Sequence, residues 1–542
     1  MKKLRVGIID LAAKSQTKSW WNRVVYPNYA SIMPQAIGVW CEEQGHHVTL
    51  VCYTGLENLV EELPNDVDVV FIGSFTHTAQ LAYALSNMFQ EKGAVTVLGG
   101  PHARCFPQDA QQYFNYVLGF TDKEIICDVL NDCTPHRPIG VHLSAKQQPA
   151  ALPGVRERWK FIEPTLNKAL FIKCVPMLNS LGCPYTCNFC IDSVVPYQPL
   201  PFDVIKEDLQ FLLSKFKRPH VSWHDPNFGI RFNDVMSAIE EAVPPDRISF
   251  IAESSLSVLT EPHLKRLQKN GFKAILPGIE SWYDMGNKSK SGKNTGIHKV
   301  RQVSEHVNTV LRYIPFVQTN FVFGLDFEEG PEPFELTKKF VDLTPGVYPS
   351  YLLLTAYGEA APLNLEYQRN NRVLSVPFHF LNNQHATNVV PNQYSWLELY
   401  DNYIDLSKYS LSWRVARRRF QANKVATVRW MNLLRAMSAG PEVINHHIEI
   451  RNLLKTDKQF RSYYEQETTE LPLFYTDWIR KDLGTLWEWL PDGAMHHDPL
   501  AYLKSTLEKP TVSDSIPINT TAGKKQVENP EGTEAVSTIG SD

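Results

Sequence analysis

The chain has 542 residues and a nearly balanced charge, 54 basic against 58 acidic residues. This length predicts roughly three or four domains at ~150 residues each, and the charge balance sets up no field that favours nucleic acid as a partner. No uninterrupted apolar run approaches the ~20 residues of a membrane span, and nine irregularly spaced cysteines do not make the framework of a secreted disulfide scaffold. Met1-Lys2-Lys3 leads into an apolar stretch too brief for a signal peptide, so a cytoplasmic location is expected.

In the first part of the chain, strand patterns at residues 4–9, 47–52, 67–73 and 94–99 alternate with helical patterns, notably at 36–43 and 80–90. This alternation predicts an open parallel sheet with right-handed crossovers. Ligands of such sheets sit beyond the carboxyl ends of the strands, where strand order switches. The loops at those ends are residues 10–14, Ser74-Phe75-Thr76-His77-Thr78, Gly99-Gly100-Pro101-His102 and Gly119-Phe120-Thr121-Asp122. Glycines there let backbone approach a bulky ligand, and the hydroxyls of Ser74 to Thr78 suit an amide or phosphate tail. The first domain is expected to span 1–132. Residues 133–166 hold several prolines and are expected to link it to the next.

From 167 to 365, strand patterns at 170–177, 220–224, 248–252, 274–279, 317–323 and 350–355 alternate with helical patterns at 203–216, 232–243, 261–270, 297–313 and 331–341. Six strands are too few to close an eight-stranded barrel, so a curved partial barrel is expected, with its chemistry at the carboxyl ends. The basic stretch Asn287-Lys288-Ser289-Lys290-Ser291-Gly292-Lys293-Asn294 reads as a solvated loop, or as one that closes over an anionic substrate. Residues 366–504 read as mainly helical, with Trp396, Leu399, Tyr400, Tyr403, Leu411 and Trp413 at helical spacing. Arg414, Arg417, Arg418 and Arg419 suit a phosphate or carboxylate, or a charged outer helix face. Residues 505–542, rich in Thr, Ser, Pro, Gly, Lys and Glu, are expected to be a disordered tail.

Cys183, Cys187 and Cys190 form a C-x3-C-x2-C run introduced by a Gly-Cys-Pro turn, just after the first strand of the second unit. Three thiolates on one short loop suit three corners of a cubane iron–sulfur cluster and leave one iron for a ligand that is not protein. A zinc site usually wants ligands in two pairs, and no cysteine follows Cys190, so zinc would have to recruit histidines. Cys41, Cys52, Cys105, Cys127, Cys133 and Cys174 read as reduced, mostly packed thiols.

The cysteine spacing, with the aromatic Phe189 before the third cysteine, resembles the signature of the radical S-adenosylmethionine (SAM) superfamily. Gly99-Gly100-Pro101-His102 resembles the fourth strand end of the cobalamin-binding domain that precedes many of these enzymes. The resemblance implies an α/β chain: an N-terminal Rossmann-like open parallel sheet, a partial (β/α)6 radical SAM barrel, a helical C-terminal region and a disordered tail. It implies a [4Fe-4S] cluster on Cys183, Cys187 and Cys190, with the open iron chelated by SAM. Asp225, in His224-Asp225-Pro226-Asn227-Phe228, would accept from the SAM ammonium. Glu253 and Ser254 end the third barrel strand where the family often sets a polar group against SAM. Glu280 and Ser281, in Gly278-Ile279-Glu280-Ser281, end the fourth, with Glu280 against the ribose or methionine part. Phe189 joins the same SAM site. Ser74, Thr76, His77, Gly99, Gly100, His102 and Gly119 are the cobalamin candidates; each histidine also reads as structural or solvent-facing.

Three departures stand out. The family's Gly-Glu-Gly-Glu segment is here Gly119-Phe120-Thr121-Asp122. The Asp-x-His-x-x-Gly motif of cobalamin mutases is absent. The last strand end, usually Thr-Pro-x-Pro-Gly-Thr, carries Ala356 and Glu359. A first domain that is a vestigial cap binding nothing is the alternative.

The resemblance implies reductive cleavage of SAM to a 5′-deoxyadenosyl radical, with an electron donor such as flavodoxin or ferredoxin. The leading expectation is cobalamin-dependent methylation of an unactivated carbon in a small molecule, lipid or peptide. The alternatives are cyclisation, ring contraction, oxidation or epimerisation, and, from another class, a non-catalytic iron–sulfur sensor. The absence of any cysteine after Cys190 counts against an epimerase that returns hydrogen from a thiol.

Overall fold

The computed structural model describes residues 3–12, 14, 30–133, 140–169, 173–283, 294–382 and 384–508. The first sheet contains β1 (Arg5–Asp10), β2 (His47–Cys52), β3 (Val69–Gly73), β4 (Val95–Gly99), β5 (Tyr116–Leu118) and β6 (Val141–Leu143). They run in the order β2-β1-β3-β4-β5-β6, all parallel. β1, β3, β4 and β5 are buried along almost their whole length, as a parallel sheet covered on both faces requires. The order reverses between β1 and β3, so the crevice at their carboxyl ends is the place where such a sheet takes a ligand.

Two strands here were not among the sequence expectations. β5 and β6 are three residues each, too short for a two-residue period to register. β6 falls in the expected linker 133–166 and is the sheet's edge strand. The same stretch holds the helix Val155–Lys168, which bridges the two α/β units. Its Arg158 donates to Gln35 of the Ile32–Glu43 helix (2.7 Å), and its Val155 N–H donates to Asp208 of the Phe202–Lys215 helix (2.6 Å). Pro164 lies inside the Val155–Lys168 helix.

The second unit is an open arc of parallel strands: β7 (Cys174–Met177), β10 (His220–Trp223), β11 (Ser249–Glu253), β12 (Phe272–Leu276), β13 (Gly278–Glu280), β14 (Phe316–Phe323) and β15 (Tyr348–Leu353). A short antiparallel pair, β8 (Ser180–Leu181) and β9 (Gln198–Pro199), brackets the cysteine loop. β12 and β13 both pair with β14, as two halves of one interrupted strand. The arc therefore has the six sequential strand positions of a partial (β/α)6 barrel. Residues 170–172 of the expected first strand lie outside the described residues, as does the basic loop except for Asn294.

Helices from Trp396 to Glu508 pack against β14, β15 and the first sheet. The Trp396–Leu411 helix starts at a Ser395–Glu398 capping box and buries Trp396, Leu399, Tyr400 and Tyr403. Tyr403 donates to the Tyr351 carbonyl of β15 (3.0 Å), and Tyr464 and Tyr475 share a hydroxyl–hydroxyl bond (2.7 Å). Trp396, Tyr400, Tyr403, Tyr464 and Tyr475 thus pack helices, whereas Trp413 stands exposed. Lys14 and Asp482 form a buried ion pair (2.9 Å) that ties the first sheet to the Leu473–Leu483 helix. The expected tail is corrected at its start, because the helix Ala501–Glu508 runs past 505; residues 509–542 lie outside the described residues. Among the described residues no helix is long and apolar enough to cross a membrane.

His379, His385, His446 and His447 are buried in this helical region. Burial lowers all four, His379 and His446 to about 4 and His447 to about 3. Neutral in the fold and protonated when unfolded below their usual 6.5, they withdraw stability as pH falls. Urea midpoints should therefore decline as pH falls from about 6.5 towards about 4, and His447→Gln should flatten that decline.

Candidate functional site

The cysteine loop leaves β7 through a turn held by Asp225. This carboxylate follows β10, is 1% exposed, and accepts from the backbone N–H groups of Asn179 (3.0 Å) and Ser180 (2.7 Å) and from the Ser180 hydroxyl (3.0 Å). Burial pushes its carboxyl up to about 7 against the pull of these bonds. Gly182 follows at φ 67°, and a Cβ there would lie 2.5 Å from the Pro196 carbonyl oxygen, so the loop crosses itself where only glycine fits. Beyond it, Cys190 N–H donates to the Cys187 carbonyl (3.0 Å), and the Ser193 hydroxyl donates to the Cys190 carbonyl (2.8 Å). Leu363 N–H donates to the Asn188 carbonyl (3.0 Å), and Arg104 of the first sheet's loops reaches Asp192 at 3.8 Å.

Cys183, Cys187 and Cys190 are half-buried, and none of the nine cysteines is in a disulfide. Among the described residues no three His, Cys, Asp or Glu side chains converge as ligands of a single metal ion.

The loop opens onto a cavity of about 360 Å³. Phe189 and Cys190 line it from the cysteine loop, Glu280 and Thr355 from barrel strand ends, and Phe75, Thr76 and His77 from the first sheet. Glu280 has φ 67°, a left-handed conformation rare outside glycine, and sits at a register shift between β13 and β14. Such bulges and strained residues gather where a side chain is re-aimed into a site. Ser254, at the end of β11, is buried, and its hydroxyl finds no hydrogen-bond partner among the described residues. Glu253 beside it is exposed.

Other candidate SAM contacts have hydrogen-bond partners within the protein. Asp225 spends its oxygens on the turn before the cysteine loop. Ser281 is buried and donates to Glu328 (2.7 Å), whose other oxygen accepts from Gly324 N–H (3.1 Å) and Leu325 N–H (3.3 Å). Asn227, which sequence reading did not single out, accepts from Ser255 N–H (3.1 Å). In the first and third of these, a polar side chain after β10 fixes backbone after a neighbouring strand; Glu328 instead joins the Ser281 side chain to backbone after its own strand.

The departure at Ala356 has a structural reason. Its N–H donates to Asn388 (2.8 Å), a bond proline cannot make. Two residues on, Gly358 at φ 50° lies against the Cys105 carbonyl, and Glu359 N–H donates to that same oxygen (2.9 Å). The last barrel loop is thereby seated on the first sheet.

A second cavity, of about 260 Å³, lies over the carboxyl ends of β1, β3, β4 and β5. Ser74, Gly99 and Gly100 line it, together with Asp10 and Thr121 from the loops expected at the strand ends, and Ser31, which stands in no motif. Phe75 and Pro101 line both cavities. The other candidates stand apart: Gly119 lies beside Ser144, whose hydroxyl accepts from Phe120 N–H (3.0 Å). His102 is fully buried, with Nε2 bonded to the Tyr83 hydroxyl (2.6 Å) and its ring against Phe106 and Phe378. It lies in the core between sheet and helices, and burial pulls it down to about 3.

No family model matches the chain. The architecture is a flavodoxin-ordered sheet followed by an open six-stranded barrel with a three-cysteine loop. Two solved structures share it. TsrM from Kitasatospora setae, a radical SAM methyltransferase holding tryptophan and a SAM analogue, aligns at 12% identity over 69% of this chain and 77% of that one, with TM-score 0.50. OxsB, a cobalamin-dependent SAM radical enzyme holding aqua-cobalamin, aligns at 13% identity over 93% and 84%, also with TM-score 0.50. Two curated relatives come from Chlorobaculum tepidum. Bacteriochlorophyllide d C-12(1)-methyltransferase is 21% identical over 56% of this chain and 67% of its own length. Bacteriochlorophyllide d C-8(2)-methyltransferase is 23% identical over 59% and 74%.

Two outcomes follow for the loop. Gly182→Val and Asp225→Ala should each bind much less iron on anaerobic reconstitution than the wild type, with Asp225→Ala also losing about 1–3 kcal/mol of stability from the orphaned N–H groups. Because the folded Asp225 carboxyl lies above its unfolded value of 3.8, its contribution is full below that value and is lost as pH rises through about 7. The stability advantage of wild type over Asp225→Asn should shrink between about pH 4 and about pH 7 in urea titrations.

Proposed function

We propose that this chain is a cobalamin-dependent radical SAM enzyme that methylates an unactivated carbon. The observation that carries the reading is the single cavity shared by Cys190 and Phe189, the strained Glu280, and Phe75 to His77 of the other sheet. Cys183, Cys187 and Cys190 would hold a [4Fe-4S] cluster. Glu280 and the unpartnered Ser254 hydroxyl are the polar groups that would bind SAM, with Phe189 against it. Ser74, Gly99 and Gly100 would admit cobalamin to the second cavity, whose glycines leave room for a large ligand. When bound, the cluster with SAM would supply a 5′-deoxyadenosyl radical, and cobalamin would supply the methyl group.

The chain's own part is to bind, orient and keep water out. Phe75 and Pro101, common to both cavities, would stand between the radical source and the methyl donor and bring the two within one site. Val322, Leu352, Leu353, Leu354 and Leu381 give the first cavity an apolar wall, which suits an apolar carbon skeleton and shields a radical from solvent. The names of the two curated relatives, methyltransferases that act on bacteriochlorophyllide d, support methylation of a large, mostly apolar substrate. Nine cysteines outside any disulfide fit a reducing, cytoplasmic setting with a flavodoxin- or ferredoxin-type electron donor. Residues 1–132 and 167–365 are the two cofactor domains in this reading, with 366–504 shaping the substrate side.

The test is anaerobic purification with cluster reconstitution, followed by assay under reduction. The expected protein carries both iron–sulfur and cobalamin absorption and releases 5′-deoxyadenosine. Cys183→Ala, Cys187→Ala or Cys190→Ala should cut that release by at least about a hundredfold. Cluster loading without cobalamin would remove the methylation reading, and cluster loading without SAM cleavage would leave the sensor alternative.

A further inference from the structure

Between Asp405 and Glu442 the chain carries eight basic residues and no acidic one, although acids outnumber bases over the whole sequence. Two helices, Trp413–Ala422 and Ala426–Met437, occupy most of this stretch. The second is turned inside out. Val428, Asn432 and Ala436 face inward, and both polar atoms of the Asn432 side chain lack a hydrogen-bond partner among the described residues. Trp430 (57% exposed), Leu434 and Met437 (66% exposed) form its outward stripe at helical spacing. Trp413 (68% exposed) on the preceding helix and Val425 in the turn between the two are exposed as well. These five are a large share of the thirteen large apolar side chains exposed among the described residues, and their clustering marks an interaction surface.

The cations beside the patch are of two kinds. Arg419 is buried against the Val347 carbonyl (2.8 Å), Arg435 donates to Gln318 (3.0 Å), and Arg418 pairs with Asp342 (2.6 Å). These anchor the helices. Arg417 and Lys424 are exposed and pair with no carboxylate among the described residues. We infer that this face docks peripherally on an anionic phospholipid surface, with Trp413, Trp430, Leu434 and Met437 entering the headgroup region and Arg417 and Lys424 meeting lipid phosphates.

Other occupants fit less well. The anchoring bonds to Gln318, Gly346 and Val347 place the face at the amino ends of β14 and β15, whereas the cysteine loop lies at the carboxyl ends. β14 is eight residues long, about 26 Å, so an electron donor seated there would be remote from the cysteines. A second copy of the chain would bring basic face against basic face in an isologous dimer. The inference rests on this surface alone and is independent of the cofactor assignment.

The experiment is sedimentation of the purified full chain with phosphatidylcholine vesicles, and with vesicles in which about a third of the lipid is phosphatidylglycerol. Binding is expected to the anionic vesicles only, falling as salt rises. It should weaken at least about tenfold in Trp413→Ala/Trp430→Ala and in Arg417→Glu/Lys424→Glu, both with unchanged circular dichroism. No binding to anionic vesicles, or binding undiminished in both variants, overturns the proposal. So does a concentration-dependent dimer in sedimentation analysis that Met437→Glu abolishes, which assigns the face to a second copy.

Discussion

An open barrel cannot lock its strand ends by closing on itself, and here hydrogen bonds from side chains to neighbouring backbone supply that lock. Asp225 at the end of β10 fixes the turn after β7, Asn227 fixes the backbone after β11, and Glu328 joins Ser281 after β13 to Gly324 and Leu325 after β14. Asn388 completes the series by bonding both the N–H and the carbonyl of Ala356 (2.8 and 2.9 Å) beyond β15. Each bond is buried, where an unmet backbone donor is costly. The position of the cysteine loop depends on the first of them.

The same loop is also held from outside the barrel. Leu363 N–H reaches Asn188 from the segment after β15, Arg104 approaches Asp192 from the first sheet, and Gly358 seats the last barrel loop on Cys105. The distance between the two cavities is thus set by backbone contacts, with Phe75 and Pro101 common to both. A cofactor pair that must meet over one substrate needs this kind of fixed spacing more than it needs any single catalytic side chain.

Much of the architecture was legible in the sequence. Alternating strand and helix periods located six barrel strands, and the cysteine spacing located the loop that follows the first. What escaped had physical causes. β5 and β6 are too short to show a period, and Pro153 and Pro164 read as linker punctuation although Pro164 sits inside a packed helix. The polar residues at strand ends were correctly placed along the chain, but sequence position does not tell whether a side chain faces a ligand or its neighbour's backbone. Asp225 and Ser281 face backbone and Glu328, His102 faces the core, and Glu280 alone among the expected carboxylates lines the cavity beside the cysteines. The strained φ of Glu280 carries no sequence signal, since a glutamate in that conformation exists only because β13 bulges against β14.

The central claim is that the three cysteines hold a cluster whose remaining iron is open to SAM. It is tested most directly by electron paramagnetic resonance of the reduced, cluster-loaded protein before and after SAM is added. The account predicts a reduced [4Fe-4S] signal whose shape changes on addition of SAM, as a new ligand takes the open iron. A signal unchanged by SAM, or the absence of any cubane signal in fully loaded protein, would contradict it.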